Sequence, residues 1–106
     1  MVVREVDPLV LQKIIKNSPI PILLELCTKH PICEILQEHF SALSKRYNGK
    51  IAFLRVDIAK YPEILKVFNV RIPAYVAIDR EVVLNIWYNP SPYQLTMIAK
   101  ELSKIL

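Results

Sequence analysis

From Ile20 to Cys27 the chain reads Ile-Pro-Ile-Leu-Leu-Glu-Leu-Cys, apolar at every position but Glu25. A half-buried strand alternates polar and apolar residues, whereas an unbroken apolar run marks a strand covered on both faces. Such a strand belongs at the centre of a sheet with helices packed above and below it. The run is far shorter than the roughly 20 residues of a membrane span. The rest of the sequence must therefore supply covering helices, and a partner for the one carboxylate placed where burial is costly.

The covering elements can be read from capping residues and periodicity. Val2 to Val6 reads as a first strand. Asp7-Pro8 is an N-cap followed by proline at the first helical position, and Leu9, Leu11, Ile14 and Ile15 give that helix an apolar face up to Lys16. After the central strand, Pro31 opens a long helix with Ile32, Ile35, Leu36, Phe40 and Leu43 at helical spacing. Asn48-Gly49 closes it. Ile51 to Val56 is the next strand, and Pro62 starts a short helix carrying Ile64, Leu65, Val67 and Phe68. Ala74 to Ile78 and Val82 to Tyr88 flank the tight turn Asp79-Arg80-Glu81 and predict an antiparallel hairpin. Ser91 and Gln94 form a capping box around Pro92, opening a last helix with Leu95, Ile98, Ala99, Leu102 and Ile105 as its stripe. The expectation is an α/β fold of order β-α-β-α-β-α-β-β-α, a three-layer sandwich with a mixed central sheet and helices on both faces.

Composition narrows the function classes. The chain has 106 residues, the size of one domain spanning 1–106. The N-terminus lacks the basic-then-apolar pattern of a secretory leader, which points to the cytoplasm and away from a membrane. Net charge is +4, but Lys and Arg are scattered, with only a small group at Lys45, Arg46 and Lys50. Scattered charge argues against a nucleic-acid interface, which gathers its cations on one face. One glycine against eight prolines hints at a thermophile. That bears on the two cysteines, because disulfides inside cells are rare except in hyperthermophiles. No motif asks for a cofactor.

In order and spacing, the chain resembles the thioredoxin family over nearly its whole length. Ile22-Leu23-Leu24-Glu25-Leu26 is similar to the family's central strand with its buried acid, Tyr47-Asn48-Gly49-Lys50 to the end of the active-site helix, and Val70-Arg71-Ile72-Pro73-Ala74 to the segment holding the family's cis-proline. The departure lies at the chemistry. Where the family carries Cys-Gly-Pro-Cys, this chain has His30-Pro31-Ile32-Cys33. Counting back from Tyr47 puts Cys33 at the resolving cysteine and His30 at the nucleophile, in a loop about one residue shorter. Cys27 falls near a family tryptophan.

Several readings of these residues stand side by side. Cys27 and Cys33, at a strand end and a helix start, can form a disulfide if their Cα atoms come within about 7 Å. They can equally be two reduced, buried, small apolar residues. Cys27, His30 and Cys33 also make a Cys-x-x-His-x-x-Cys pattern, but three ligands do not close a structural zinc site. His39 lies on the far side of the same helix, so no metal is expected. His30 can lower a nearby thiol pKa or simply be solvated. The resemblance implies that Glu25 moves a proton for the resolving cysteine and that Arg55 takes the place of a family lysine. An ion pair with Arg55 is expected to hold Glu25 ionised, as half of a structural pair. The resemblance also implies a cis bond at Pro73, with Ile72 offering backbone groups to an extended client segment; a trans proline at a strand start fits the sequence as well. Tyr75 follows in that strand, while Trp87, Tyr88 and Tyr93 read as packing residues.

Two functions follow as expectations. The first is a thiol–disulfide oxidoreductase of altered motif, using Cys27 and Cys33 in cell redox homeostasis with a reductase as electron source. The alternative is a non-catalytic binding, adaptor or chaperone module that keeps the groove beside Pro73 for a client protein or peptide.

Overall fold

The structure, a computed structural model, describes residues 3–28 and 30–105. Its elements follow the expected order: β1 (Arg4–Glu5), α1 (Pro8–Asn17), β2 (Ile22–Cys27), α2 (Pro31–Arg46), β3 (Ala52–Asp57), α3 (Ile64–Phe68), β4 (Ala74–Asp79), β5 (Val82–Tyr88) and α4 (Pro92–Leu102). The five strands form one sheet in the order β1-β3-β2-β4-β5. β2 runs parallel to β3 and antiparallel to β4, and all six of its residues are buried. The apolar run thus sits at the centre of a mixed sheet. It begins at Ile22 rather than Ile20; Pro21 contributes only its carbonyl, which accepts from the Ala52 N–H at 2.8 Å.

Alternation along β2 divides the core between the two faces. Leu23 packs with Leu36, Phe40 and Leu43 of α2 and with Leu95, Ile98 and Leu102 of α4. Ile22, Leu24 and Leu26 pack with Leu11 of α1 and Ile64 of α3. Phe40 anchors the first face, its ring 5.1 Å from Phe53 in an edge contact and 5.5 Å from Tyr75. His39 ties α2 to α4 through a 2.7 Å Nε2–Oγ1 contact with Thr96. Among the described residues, no helix is long and apolar enough to cross a membrane.

The predicted starts of α1 and α4 hold. The Asp7 carboxylate accepts from the Val10 N–H at 2.8 Å. Ser91 Oγ accepts from the Gln94 N–H at 3.1 Å while Gln94 Oε1 accepts from the Ser91 N–H at 2.8 Å. Other details differ from the sequence expectation. The β1 pairing covers only Arg4 and Glu5, and Val2 lies outside the described residues. Leu9 is 72% exposed, because the buried stripe of α1 is set by Leu11 with Val10, Ile14 and Ile15 beside it. Ile32 and Ile35 of α2 also face outward, because its buried stripe starts at Cys33 and continues through Leu36, Phe40 and Leu43. α3 starts at Ile64, with Pro62 in the turn before it, and stops at Asn69 in the left-handed conformation (φ 54°). Ile105 lies beyond the end of α4 and is exposed.

The hairpin turns on Arg80 (φ 48°) and Glu81 (φ 67°), between the paired residues Asp79 and Val82. Positive φ at both central residues is the turn whose twist matches a hairpin. β5 carries a bulge: Ile78 faces Val83 and Ala77 faces Asn85, so Leu84 has no opposite number. The Asn89 N–H bonds the Pro73 carbonyl at 2.9 Å. Alternation from that bond turns the Ile86 N–H away from β4, where it donates to Asn85 Oδ1 at 2.8 Å.

Phe40→Ala removes the ring on which the α2 face of the core rests. Urea unfolding should show a loss of about 3–5 kcal/mol, the range for truncating a buried phenylalanine. A loss under about 1 kcal/mol would mean that Phe40 does not anchor this face of the core.

Candidate functional site

Cys27 is the last residue of β2 and Cys33 lies in the first turn of α2. The strand end and helix start bring their Cα atoms to 6.1 Å, and the two are joined by a disulfide. This decides between the two readings of the cysteines. Both residues are buried, at 1% and 0% exposure. His30, which resembles the family's nucleophile position, is the exposed N-cap of α2. Its backbone is extended (φ −115°, ψ 144°), Pro31 follows at the first helical position, and Nδ1 accepts from the Ile32 N–H at 3.2 Å. The His30 carbonyl takes the Cys33 N–H at 2.8 Å. The side chain therefore satisfies one of the N–H groups that a helix start leaves open. With both sulfurs in the disulfide, no three metal-ligating side chains converge among the described residues.

Beneath the disulfide, on the same face of the sheet, lies Glu25. The register sets it opposite Arg55 of β3 on one side and Tyr75 of β4 on the other. Arg55 Nε donates to one carboxylate oxygen and the Tyr75 hydroxyl donates to the other at 2.5 Å. The Arg55 partnership is the one expected; Tyr75 is an additional partner that sequence reasoning missed. Glu25 itself is fully buried. Burial pushes its carboxyl above the ordinary value of 4.5, and the Arg55 charge and the two hydrogen bonds pull it back without cancelling the rise. This corrects the expectation that Arg55 depresses the Glu25 pKa. Loss of water outweighs a guanidinium that is itself 22% exposed. The Tyr75 phenol is pushed far above its ordinary value by burial and by the Glu25 charge, so it stays a hydrogen-bond donor.

Arg55 uses Nε for Glu25, and its Nη2 is buried with no hydrogen-bond partner among the described residues. A cavity of about 130 Å³ opens beside it, lined by Glu5, Cys27, Thr28, Gln37, Arg55 and Asp57. On the other side of β2, Leu26 pairs with Ala74, which sets Pro73 alongside Cys27. The Ile72–Pro73 peptide bond is cis. Pro73 is buried, while Ile72 is partly buried and stands outside the sheet register, packed toward the α1 and α3 side. Cys27, Cys33, Glu25, Arg55 and Pro73 thus form one neighbourhood, and His30 sits at its exposed rim.

Two predictions follow from the ion pair. Arg55→Met leaves a buried carboxylate with Tyr75 alone and should cost more than about 1 kcal/mol in urea unfolding; a smaller loss would show the pair to be dispensable. For Glu25 the folded-state pKa is raised, so the native state holds its proton where the unfolded chain has lost it. Its contribution to stability is complete below the unfolded value and declines as pH climbs through the folded one. The stability of the native sequence relative to Glu25→Gln should therefore fall as pH rises above the ordinary carboxyl value of 4.5. A difference that rises with pH would mean that the Arg55 charge outweighs burial.

No family model and no curated protein sequence matches the chain. Among solved structures, the backbone is similar to the crystal structure of thioredoxin from Malassezia sympodialis. The TM-score is 0.85 at 15% sequence identity, over 95% of this chain and 90% of that one. With the strand order, the central acid and the hairpin all in their expected places, the chain has the thioredoxin-like fold.

Proposed function

We propose that this protein is a thiol–disulfide exchange protein whose working group is the Cys27–Cys33 couple. The observation that carries the reading is the placement of the disulfide. It joins a central strand end to a helix start, beside Pro73 and above a buried carboxyl with a raised pKa. In exchange, a donor thiolate attacks one sulfur, forms a mixed disulfide and releases the other cysteine as thiolate. A second thiol of the donor then displaces the mixed disulfide. The donor leaves oxidised, and both cysteines have gained one electron and one proton each. A carboxyl that keeps its proton to higher pH than usual is suited to supplying and recovering such protons. Extended client segments would lie beside Pro73, with the backbone at Ile72 offering strand-type hydrogen bonds. A cellular reductase would be that dithiol donor, and a client disulfide, taking up the two electrons and two protons in the reverse exchange, would restore the Cys27–Cys33 bond and complete the cycle, placing the protein in redox homeostasis. Because both cysteines are buried, exchange requires the segment between them to open.

That burial is also the specific observation favouring a second reading, in which the disulfide is a staple and the molecule a non-catalytic binding or chaperone module. Ile32 and Ile35, exposed at 47% and 68% on the first turns of α2, would then be part of its contact surface.

Thiol counting separates the two. Under the exchange reading, air-exposed native protein yields no alkylated thiols, mild reductant releases two, and a glutathione titration traces one two-electron transition. If the bond resists thiol donors until denaturant is added, it is a staple. Its removal should then lower stability by roughly 2 kcal/mol, the value for so short a closed loop.

A further inference from the structure

We propose that Nη2 of Arg55 is a donor held in reserve for the Cys27 sulfur, to be used when the disulfide opens; the inference rests on the exchange function proposed above. A buried guanidinium N–H without an acceptor is costly, yet Arg55 Nη2 is left in that state while Nε alone holds Glu25. The same small cavity that Arg55 lines is lined by Cys27. Arg55 and Cys27 are diagonal neighbours on adjacent strands: Cys27 pairs with Asp57, two residues beyond Arg55 in β3. Period-two alternation points both to the face occupied by α2.

In the disulfide, the Cys27 sulfur is a weak acceptor and has no need of a charged donor. The need arises on reduction. When a donor thiolate attacks the Cys33 sulfur, a new S–S bond forms there, and the Cys27–Cys33 bond breaks with its electron pair left on Cys27. The resulting thiolate is an anion in a buried place, and a guanidinium N–H at its side is the group that stabilises it. A better-stabilised leaving thiolate leaves faster. Other charged and titratable groups around Cys27 do not supply this. Glu5 and Asp57 border the cavity with negative charge, Gln37 of α2 is neutral, and Glu25 lies two residues back on the same strand face. Among the described lining residues, Arg55 is the one cation. Cys33 lies instead at the start of α2, where the helix N-terminus acts on it. Arg55 is on this account a positioning residue for Glu25 and the electrostatic partner of Cys27 alone.

Single-cysteine variants test this directly. Cys33→Ser leaves Cys27 as the only thiol, and Cys27→Ser leaves Cys33. Arg55→Lys keeps a positive charge beside Glu25 but removes the second guanidinium nitrogen. Thiolate absorbance in the ultraviolet is followed against pH, and circular dichroism confirms that each variant is folded. The expected result is that Arg55→Lys raises the Cys27 thiol pKa by about one unit or more, a tenfold loss of thiolate at a given pH, while Cys33 moves by no more than a few tenths. An unchanged Cys27 value overturns the inference, and so does an equal shift at both cysteines, which would mark a general effect of charge or packing. Neither variant can form the disulfide. A native disulfide that resists all thiol donors would therefore defeat the exchange function without altering this titration.

Discussion

A single buried carboxylate organises the molecule. Glu25 lies in the strand with neighbours on both sides, where an unpaired charge is too costly to keep. β3 and β4 each bring one donor to it, Arg55 from the parallel side and Tyr75 from the antiparallel side. A one-residue slip of either neighbour would turn that donor to the opposite face of the sheet. The acid therefore acts as a register pin for the three central strands, and the same slip would break the alternation that separates the α2–α4 core from the α1–α3 core. Tyr75 shows the coupling most directly, since its hydroxyl binds Glu25 while its ring packs against Phe40.

The disulfide extends this organisation to the end of the sheet. It fixes the start of α2 over the end of β2, and the buried stripe of α2 begins at Cys33 for that reason. Redox chemistry at this position would thus touch the framework as well as the client. The His30 cap and the core below the disulfide are held by contacts of their own, separate from the S–S bond. The surroundings of the two sulfurs are unequal, with a cation and two carboxylates around Cys27 and a helix N-terminus at Cys33.

Much of this was legible in the sequence, for physical reasons that differ from element to element. The apolar run identified β2 because continuous burial leaves no other place for it. The starts of α1 and α4 were legible because Asp7-Pro8 and Ser91-Pro92 combine a cap with a fixed φ. Pro31 marked the start of α2 in the same way, while the capping role of His30 had no such signal, because histidine is not among the usual capping residues. Arg55 was legible through the resemblance, which sets it on the next strand where the family carries a lysine, whereas Tyr75 depended on an antiparallel alignment that no local signal defines. The cysteine pairing hung on a few ångströms of Cα separation, a distance set by the whole turn between β2 and α2. The direction of the Glu25 shift depended on complete exclusion of water, which a charged partner named in the sequence does not reveal.

The β5 edge carries its own consequence. Val82, Val83 and Leu84 are exposed on a strand of seven residues that contains no charged side chain, a surface that invites another strand to add on. An arriving strand would meet the kink at Leu84 and, next to it, an Ile86 N–H already occupied by the side chain of Asn85. The bulge and the occupied Ile86 N–H thus interrupt, at this point of the edge, the regular ladder that an added strand would need.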